Sequence, residues 1–186
     1  VVKARRVGNP PYSGGAGSPT LRGSQENPAS KEPAVTQPYP RHSTVSRSPL
    51  VAALRALALP ADHYAVFGSG ALLPAGLRDA PGDLDVIARG PAWRRAMGLG
   101  ELTVPSSCLG RRVALCGGAI EVFDRWPHDR PAGELIDTAV VYDGIRWVSL
   151  HEVLVWKRAV GRQKDLDDIR AIERYLRELQ QHHLAA

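Results

Sequence analysis

Tyr64-Ala-Val-Phe-Gly-Ser-Gly70, followed by Asp83-Leu-Asp-Val-Ile-Ala88, is the stretch on which the fold turns. Tyr64-Ala-Val-Phe67 is a short apolar run closed by glycines around Ser69, the pattern of a buried strand entering a turn. Residues 71–77 read as a short helix interrupted by Pro74 and Gly76, and Pro81-Gly82 reads as a turn. Residues 83–88 alternate polar and apolar, which predicts a second strand. Upstream, Leu50, Leu54, Leu57 and Leu59 among alanines predict a helix opening at Ser48-Pro49 and ended by Pro60. Downstream, a helix is expected over 91–99 with Pro at its start. Strands are expected over 112–115 and 119–123 around Cys116-Gly117-Gly118, and over 139–142 and 145–148 around Asp143-Gly144, a strong hairpin signal. Ser149 and Glu152 form a capping box for a helix over 150–160, which Gly161 stops. The last helix, over 164–181, carries the stripe Leu166, Ile169, Ile172, Leu176 and Leu179. This order predicts an α/β (α+β) domain over residues 49–186, a mixed β-sheet flanked by helices.

With 186 residues, 44% of them apolar, the chain can bury one core but not two generous ones. No apolar run approaches the roughly 18–20 residues of a membrane span. Residues 1–10 lack the apolar centre of a secretory signal. Cys108 and Cys116 form no paired framework, which suits a reducing compartment, so a cytoplasmic location is expected. Of 24 Lys and Arg and 19 Asp and Glu, residues 1–48 hold seven and two, so the remaining 17 and 17 cancel. The net charge of +5 therefore belongs to the leading segment, which also holds seven of the 15 prolines and shows no apolar period. That segment reads as an irregular or disordered basic tail, which either is merely solvated or holds RNA or an acidic surface weakly.

Three features carry chemistry. Gly68-Ser69-Gly70 lets a phosphate approach the backbone, although a plain strand-to-helix turn looks the same. Asp83 and Asp85, at i and i+2 of a strand, point to one face about 7 Å apart. They either share a divalent cation such as Mg²⁺ or line the exposed face of an edge strand. Glu121 interrupts the apolar run Ile120-Glu-Val-Phe123, where a lone buried carboxylate is costly, so it faces either water or a shared metal. Asp124 at that strand's end is a weaker candidate for the same part.

Together these motifs resemble the nucleotidyltransferase superfamily of the DNA polymerase β type: Gly-Ser, a spacer, Asp-x-Asp, and a later acid on a neighbouring strand. The resemblance covers residues 50–180 and departs in its spacer, since residues 70–82 separate Ser69 from Asp83, a few more than usual. It implies a metal-dependent transferase moving a nucleoside monophosphate from an NTP, ATP among them, to a hydroxyl on RNA or tRNA, a protein or a small molecule. Gly68 and Ser69 would hold the triphosphate, Asp83, Asp85 and Glu121 would bind Mg²⁺ (or Mn²⁺), and Glu121 would help activate the attacking hydroxyl. The segment from Lys157 to Ile169 is similar to the closing segment of small bacterial nucleotidyltransferases of the abortive-infection and toxin–antitoxin group. By that likeness Lys157 and Lys164 would contact phosphates, Asp165 and Asp168 would orient the basic groups, and an antitoxin would be a partner. Without the likeness, Lys157 is a lysine on an apolar stripe that either snorkels to the edge or reaches a buried anion, and the acids simply favour a helix start. Arg78 and Arg89 are auxiliary phosphate candidates.

None of the six histidines has a partner at zinc spacing, and Trp93, Trp126, Trp147 and Trp156 read as core or edge aromatics rather than a base-stacking platform. Two alternatives to the enzyme stand beside it. One is a catalytically silent binding module of the same fold, in which the acids are splayed apart or paired with arginine; the other is an interaction protein working through its basic tail.

Overall fold

The computed structural model describes residues 39, 44–104, 110–126 and 130–184, all within the compact unit Ala34–Ala186. Most of the basic segment, with Cys108 and His128, lies outside the described residues.

Seven strands form one mixed sheet: β1 (Tyr64–Phe67), β2 (Leu84–Ala88), β3 (Glu101–Thr103), β4 (Arg112–Leu115), β5 (Ile120–Phe123), β6 (Val140–Tyr142) and β7 (Ile145–Trp147). They lie in the order β3-β4-β5-β2-β1-β7-β6. β2 runs parallel to β5 and β1 parallel to β7, while the other neighbours are antiparallel. The helices are α1 (Pro49–Ala56), α2 (Gly90–Met97), α3 (Ala132–Asp137), α4 (Leu150–Val160) and α5 (Leu166–Leu184). Among the described residues no helix is long and apolar enough to cross a membrane.

β1 is buried on both faces, as its unbroken apolar run requires. Val66, Val86, Val113 and Val122 face a core closed by Val51 and Leu54 of α1 and by Trp93 and Ala96 of α2. Ala65, Phe67, Ile87 and Phe123 face a second core closed by Leu135 and Ile136 of α3, Val153 and Leu154 of α4, and Ile172 of α5. The register sets Phe67 opposite Asp85 and Asp85 opposite Glu121, so both acids share the α3–α5 face.

Local chemistry fixes the ends. Ser48 Oγ accepts the Val51 N–H at the head of α1 (3.4 Å), with Pro49 in the first turn. Asp143 and Gly144 both take positive φ, 51° and 73°, as a tight hairpin turn needs. Gly161 ends α4 in the left-handed region at φ 64°.

Several expectations are corrected. Residues 71–77 do not form a helix; a 3₁₀ turn, Gly68–Leu72, leads into plain turns because Pro74 and Gly76 break the run. Asp83 precedes β2 rather than lying in it. The Ser149–Glu152 capping box is half made: Ser149 Oγ accepts the Glu152 N–H, but the Glu152 carboxylate turns to Arg130. The final helix starts at Leu166, after a 3₁₀ turn over Gln163–Asp165. Packing begins before residue 49, because Val45 in a 3₁₀ turn is fully buried.

Leu54→Ala, which empties a buried site under the sheet, is expected to cost about 2–5 kcal/mol in denaturant unfolding, whereas Val141→Ala on the exposed edge should stay within about 0.5 kcal/mol.

Candidate functional site

The chemistry-bearing groups collect where β1 ends and β2 and β5 begin. Gly68 leaves β1 at φ +61°, and a Cβ there would overlap Asp85 Oδ2. Only glycine satisfies both the left-handed backbone and this close approach. The turn is thus packed directly on the carboxylate of the central strand.

Ser69, next in the turn, is tied to the two closing helices. Its hydroxyl donates to Asp168 Oδ2 (2.7 Å) and accepts from Lys157 Nζ (3.1 Å). Lys157 is fully buried. Its ammonium also meets Asp165 Oδ1 at 2.6 Å and Asp168 Oδ2 at 2.9 Å, so three acceptors surround it. Arg78 Nη1 holds the other Asp168 oxygen (2.5 Å), and Arg162 Nε holds the other Asp165 oxygen (2.6 Å). Burial works against the charge of both acids. The hydrogen bonds from Lys157 and Ser69 to Asp168, and from Arg162 and Lys157 to Asp165, outweigh it and hold both carboxyls below the usual range.

Asp85 behaves oppositely. Burial first, and then the charges of Asp83 and Glu121, push its carboxyl up to about 7 from 3.8, against the pull of Arg162 and Lys157. Asp83 is exposed beside it. Glu121 Oε1 accepts from Arg112 Nη1 at 2.8 Å, the arginine reaching across from β4. Arg112 Nε is also 3.3 Å from Thr103 Oγ1. Five carboxyl groups (Asp83, Asp85, Glu121, Asp165, Asp168) meet four cations (Arg78, Arg112, Lys157, Arg162), and with Asp85 protonated up to about pH 7 the charges balance below that pH. Among the described residues no three His, Cys, Asp or Glu side chains are gathered closely enough to hold a metal ion between them.

Of the residues singled out from sequence, the structure brings together Gly68, Ser69, Asp85, Lys157, Asp165 and Asp168, with Asp83 and Glu121 alongside. Lys164 is not gathered in: it is exposed on the Gln163–Asp165 turn. Lys157 reaches the Ser69 hydroxyl and two acids rather than open solvent. Arg78 joins the cluster, whereas Arg89 pairs with Asp137 beyond the opposite end of β2 and Asp124 is held by Arg111. Arg112 and Arg162 were not singled out. Arg162 lies in the quoted closing segment, and Arg112 was recoverable only through the hairpin register, which sets it two places along from the residue opposite Glu121.

No family model, no curated protein and no solved structure matches this chain.

Lys157→Met, which removes the shared partner of Asp165 and Asp168, should cost about 3–5 kcal/mol in denaturant unfolding; Lys164→Met should stay within about 0.5 kcal/mol. Because the folded protein keeps the Asp85 proton up to about pH 7 while an unfolded chain releases it near 3.8, this group's contribution to stability falls as pH rises between those values and is constant above. Asp85→Asn should therefore gain on the parent in unfolding midpoints as pH rises from about 4 to about 7 and run parallel to it above; parallel curves throughout would refute the burial of that charge.

Proposed function

We propose that this chain is a metal-dependent nucleotidyltransferase that moves a nucleoside monophosphate from an NTP to a hydroxyl acceptor. The observation that carries the reading is the seat of Gly68 on Asp85. It sets a side-chain-free turn and a carboxylate at one strand end, with Asp83 and Glu121 beside them.

The donors are carboxylate oxygens, the type a hard dication takes, and Asp83, Asp85 and Glu121 would have to draw together to hold one. Burial, and then the charges of Asp83 and Glu121, keep a proton on Asp85 that a bound cation would displace. Asp83 and Asp85 would hold the ion, with Glu121 contributing its second oxygen or giving up Arg112. When bound, Mg²⁺ would neutralise phosphate charge and lower the pKa of the acceptor hydroxyl. The turn at Gly68 is packed on Asp85, and both Gly68 and Gly70 are buried. Lys157, Asp165 and Asp168 anchor that turn through Ser69, so its position is set before substrate arrives. Arg78 and Arg162, each with 39% of its side chain exposed, are the cations of this network open to a polyanion. Glu121 stands on the neighbouring strand, where it can take the hydroxyl proton as the acceptor oxygen attacks the α-phosphorus and pyrophosphate leaves. RNA, a protein or a small molecule could serve as acceptor on this chemistry. The toxin-like closing segment supports a defence role in the cytoplasm with an antitoxin-type partner.

A second reading, a nucleotide-binding module without catalysis, is favoured by the Arg112–Glu121 ion pair, which occupies the third acid. Incubation with each α-labelled NTP and Mg²⁺, with total RNA or protein as acceptor, separates the two. Transfer of label by the parent, reduced at least a hundredfold in Asp85→Ala, supports the enzyme. Nucleotide binding with no transfer supports the module, and equal transfer by both proteins overturns the assignment.

A further inference from the structure

The strand register draws two rows of side chains across the α3–α5 face of the sheet. One runs Phe67, Asp85, Glu121, Ala114, Glu101; the other runs Ile87, Phe123, Arg112, Thr103. Toward β1 the first row is closed, because Phe67 packs against Trp126 and Trp156 with ring centroids 4.2 and 5.4 Å away. Toward β3 it is open. Among the described residues, the core on this face takes nothing from β3 or β4, and α2, which packs on β4, lies on the other face. Ala114 and Thr103 are half-buried and Glu101 is exposed. With Gly68 and Gly70 buried, an acceptor hydroxyl reaches Glu121 from the β3 edge, over the small side chain of Ala114.

Arg112 stands beside that path. Its Nη1 donates to Glu121 Oε1 at 2.8 Å, and its Nε lies 3.3 Å from Thr103 Oγ1. Its Nη2 makes no hydrogen bond among the described residues, so the guanidinium has donors to spare. The pair is in contact with water: 32% of the Arg112 side chain and 23% of the Glu121 side chain are exposed. Ion pairs in such settings are weak, so another anion can compete for the arginine. Phosphate is the stronger competitor, because its oxygens match the planar fork with two parallel hydrogen bonds. What the pair holds back is the third acid. While Glu121 is bound to Arg112, the carboxylates are not gathered closely enough for an ion.

We propose that Arg112 anchors the acceptor: it takes a phosphate group carried close to the acceptor hydroxyl, and in doing so releases Glu121. The acceptor is thereby a phosphate-bearing hydroxyl compound, a polynucleotide end or a small phosphorylated molecule, rather than a neutral protein side chain. This rests on the nucleotidyl-transfer reading above and adds to it the class of acceptor. Thr103 Oγ1, at Arg112 Nε, keeps the guanidinium beside the path once Glu121 has left. The bond changes are unaltered: the acceptor oxygen joins the α-phosphorus, the bond from that phosphorus to the bridging oxygen breaks as pyrophosphate leaves, and the freed Glu121 takes the proton. Because Glu121 stays with Arg112 until the acceptor arrives, water entering alone meets an incomplete site and the NTP is spared hydrolysis.

The test follows two readouts in the full chain, the ¹⁵N-labelled Nε–H signal of Arg112 and the affinity for Mn²⁺. The separate probes are a ribonucleotide trimer with a free 3′-hydroxyl, glycerol 3-phosphate, adenosine and a blocked Gly-Ser-Gly peptide; Arg112→Lys assigns the signal. The expected result is that a phosphate-bearing probe moves the Arg112 signal and raises Mn²⁺ affinity about fivefold or more, whereas adenosine and the peptide do neither. A response to the trimer alone assigns a polynucleotide acceptor, and a response to glycerol 3-phosphate alone a small phosphorylated one. Arg112→Gln, which frees Glu121, should bind Mn²⁺ about fivefold or more tighter than the parent with no probe present and ignore the probes. Arg112→Lys, which keeps the charge but lacks the planar fork, should bind the phosphate probe at least about tenfold more weakly and carries the test if Arg112→Gln fails to fold. Unchanged probe affinity in Arg112→Lys overturns the proposal. So does a phosphate probe that moves Arg112 without changing Mn²⁺ affinity, which marks an adventitious anion only. If Mn²⁺ binds and depends on Asp85 but no probe moves Arg112, the anchor is refuted and the metal-dependent reading survives. If Mn²⁺ does not bind with or without NTP, both fall.

Discussion

A single buried ammonium joins the parts of this molecule that chemistry would need together. Lys157 of α4 is bonded at once to Ser69 in the turn after β1, to Asp165 in the turn before α5 and to Asp168 in its first turn. Removing a charge from water is costly, and only close, well-matched partners offset it. Lys157 has three, and each acid in turn has an arginine on its other oxygen. The turn after β1 and the two closing helices are consequently held in one arrangement. That arrangement puts Gly68 against Asp85, and Gly68 tolerates no other residue there.

This network leaves the acids in two classes. Asp165 and Asp168 are saturated with donors and serve to hold structure. Asp85 lies close by, and burial, with the like charges of Asp83 and Glu121 added, keeps a proton on its carboxyl far above the usual range. Two neighbouring environments, built from residues about 80 positions apart in the chain, thus shift carboxyls in opposite directions. The parallel pairing of β2 with β5 brings Glu121 beside Asp85 from a distant part of the chain, across α2, β3 and β4.

Much of this was legible from sequence because it is local. The apolar run of β1, the alternation of β2, the Asp143-Gly144 hairpin and the Ser149 and Gly161 ends of α4 each follow from a few adjacent residues. The elements that escaped were short. β3 has three residues on an exposed edge, and α3 has six residues with a glycine among them; neither is long enough to show a period. Within the site, the grouping of Gly-Ser with Asp85 was legible, but the partner of each charge was not. That Lys157 turns inward while Lys164 stays in water depends on where two helices cross, and the hold of Arg112 on Glu121 depends on strand register.

The guanidinium of Arg112 already sits on the third acid. Any ion settling among these carboxylates must therefore compete with a resident positive charge. Sodium or potassium, with one charge each, would gain little by displacing it, whereas a compact dication gains more from each oxygen it takes. On the proposed reading the β4 arginine would act as a threshold on charge density, admitting a dication in preference to a monovalent ion.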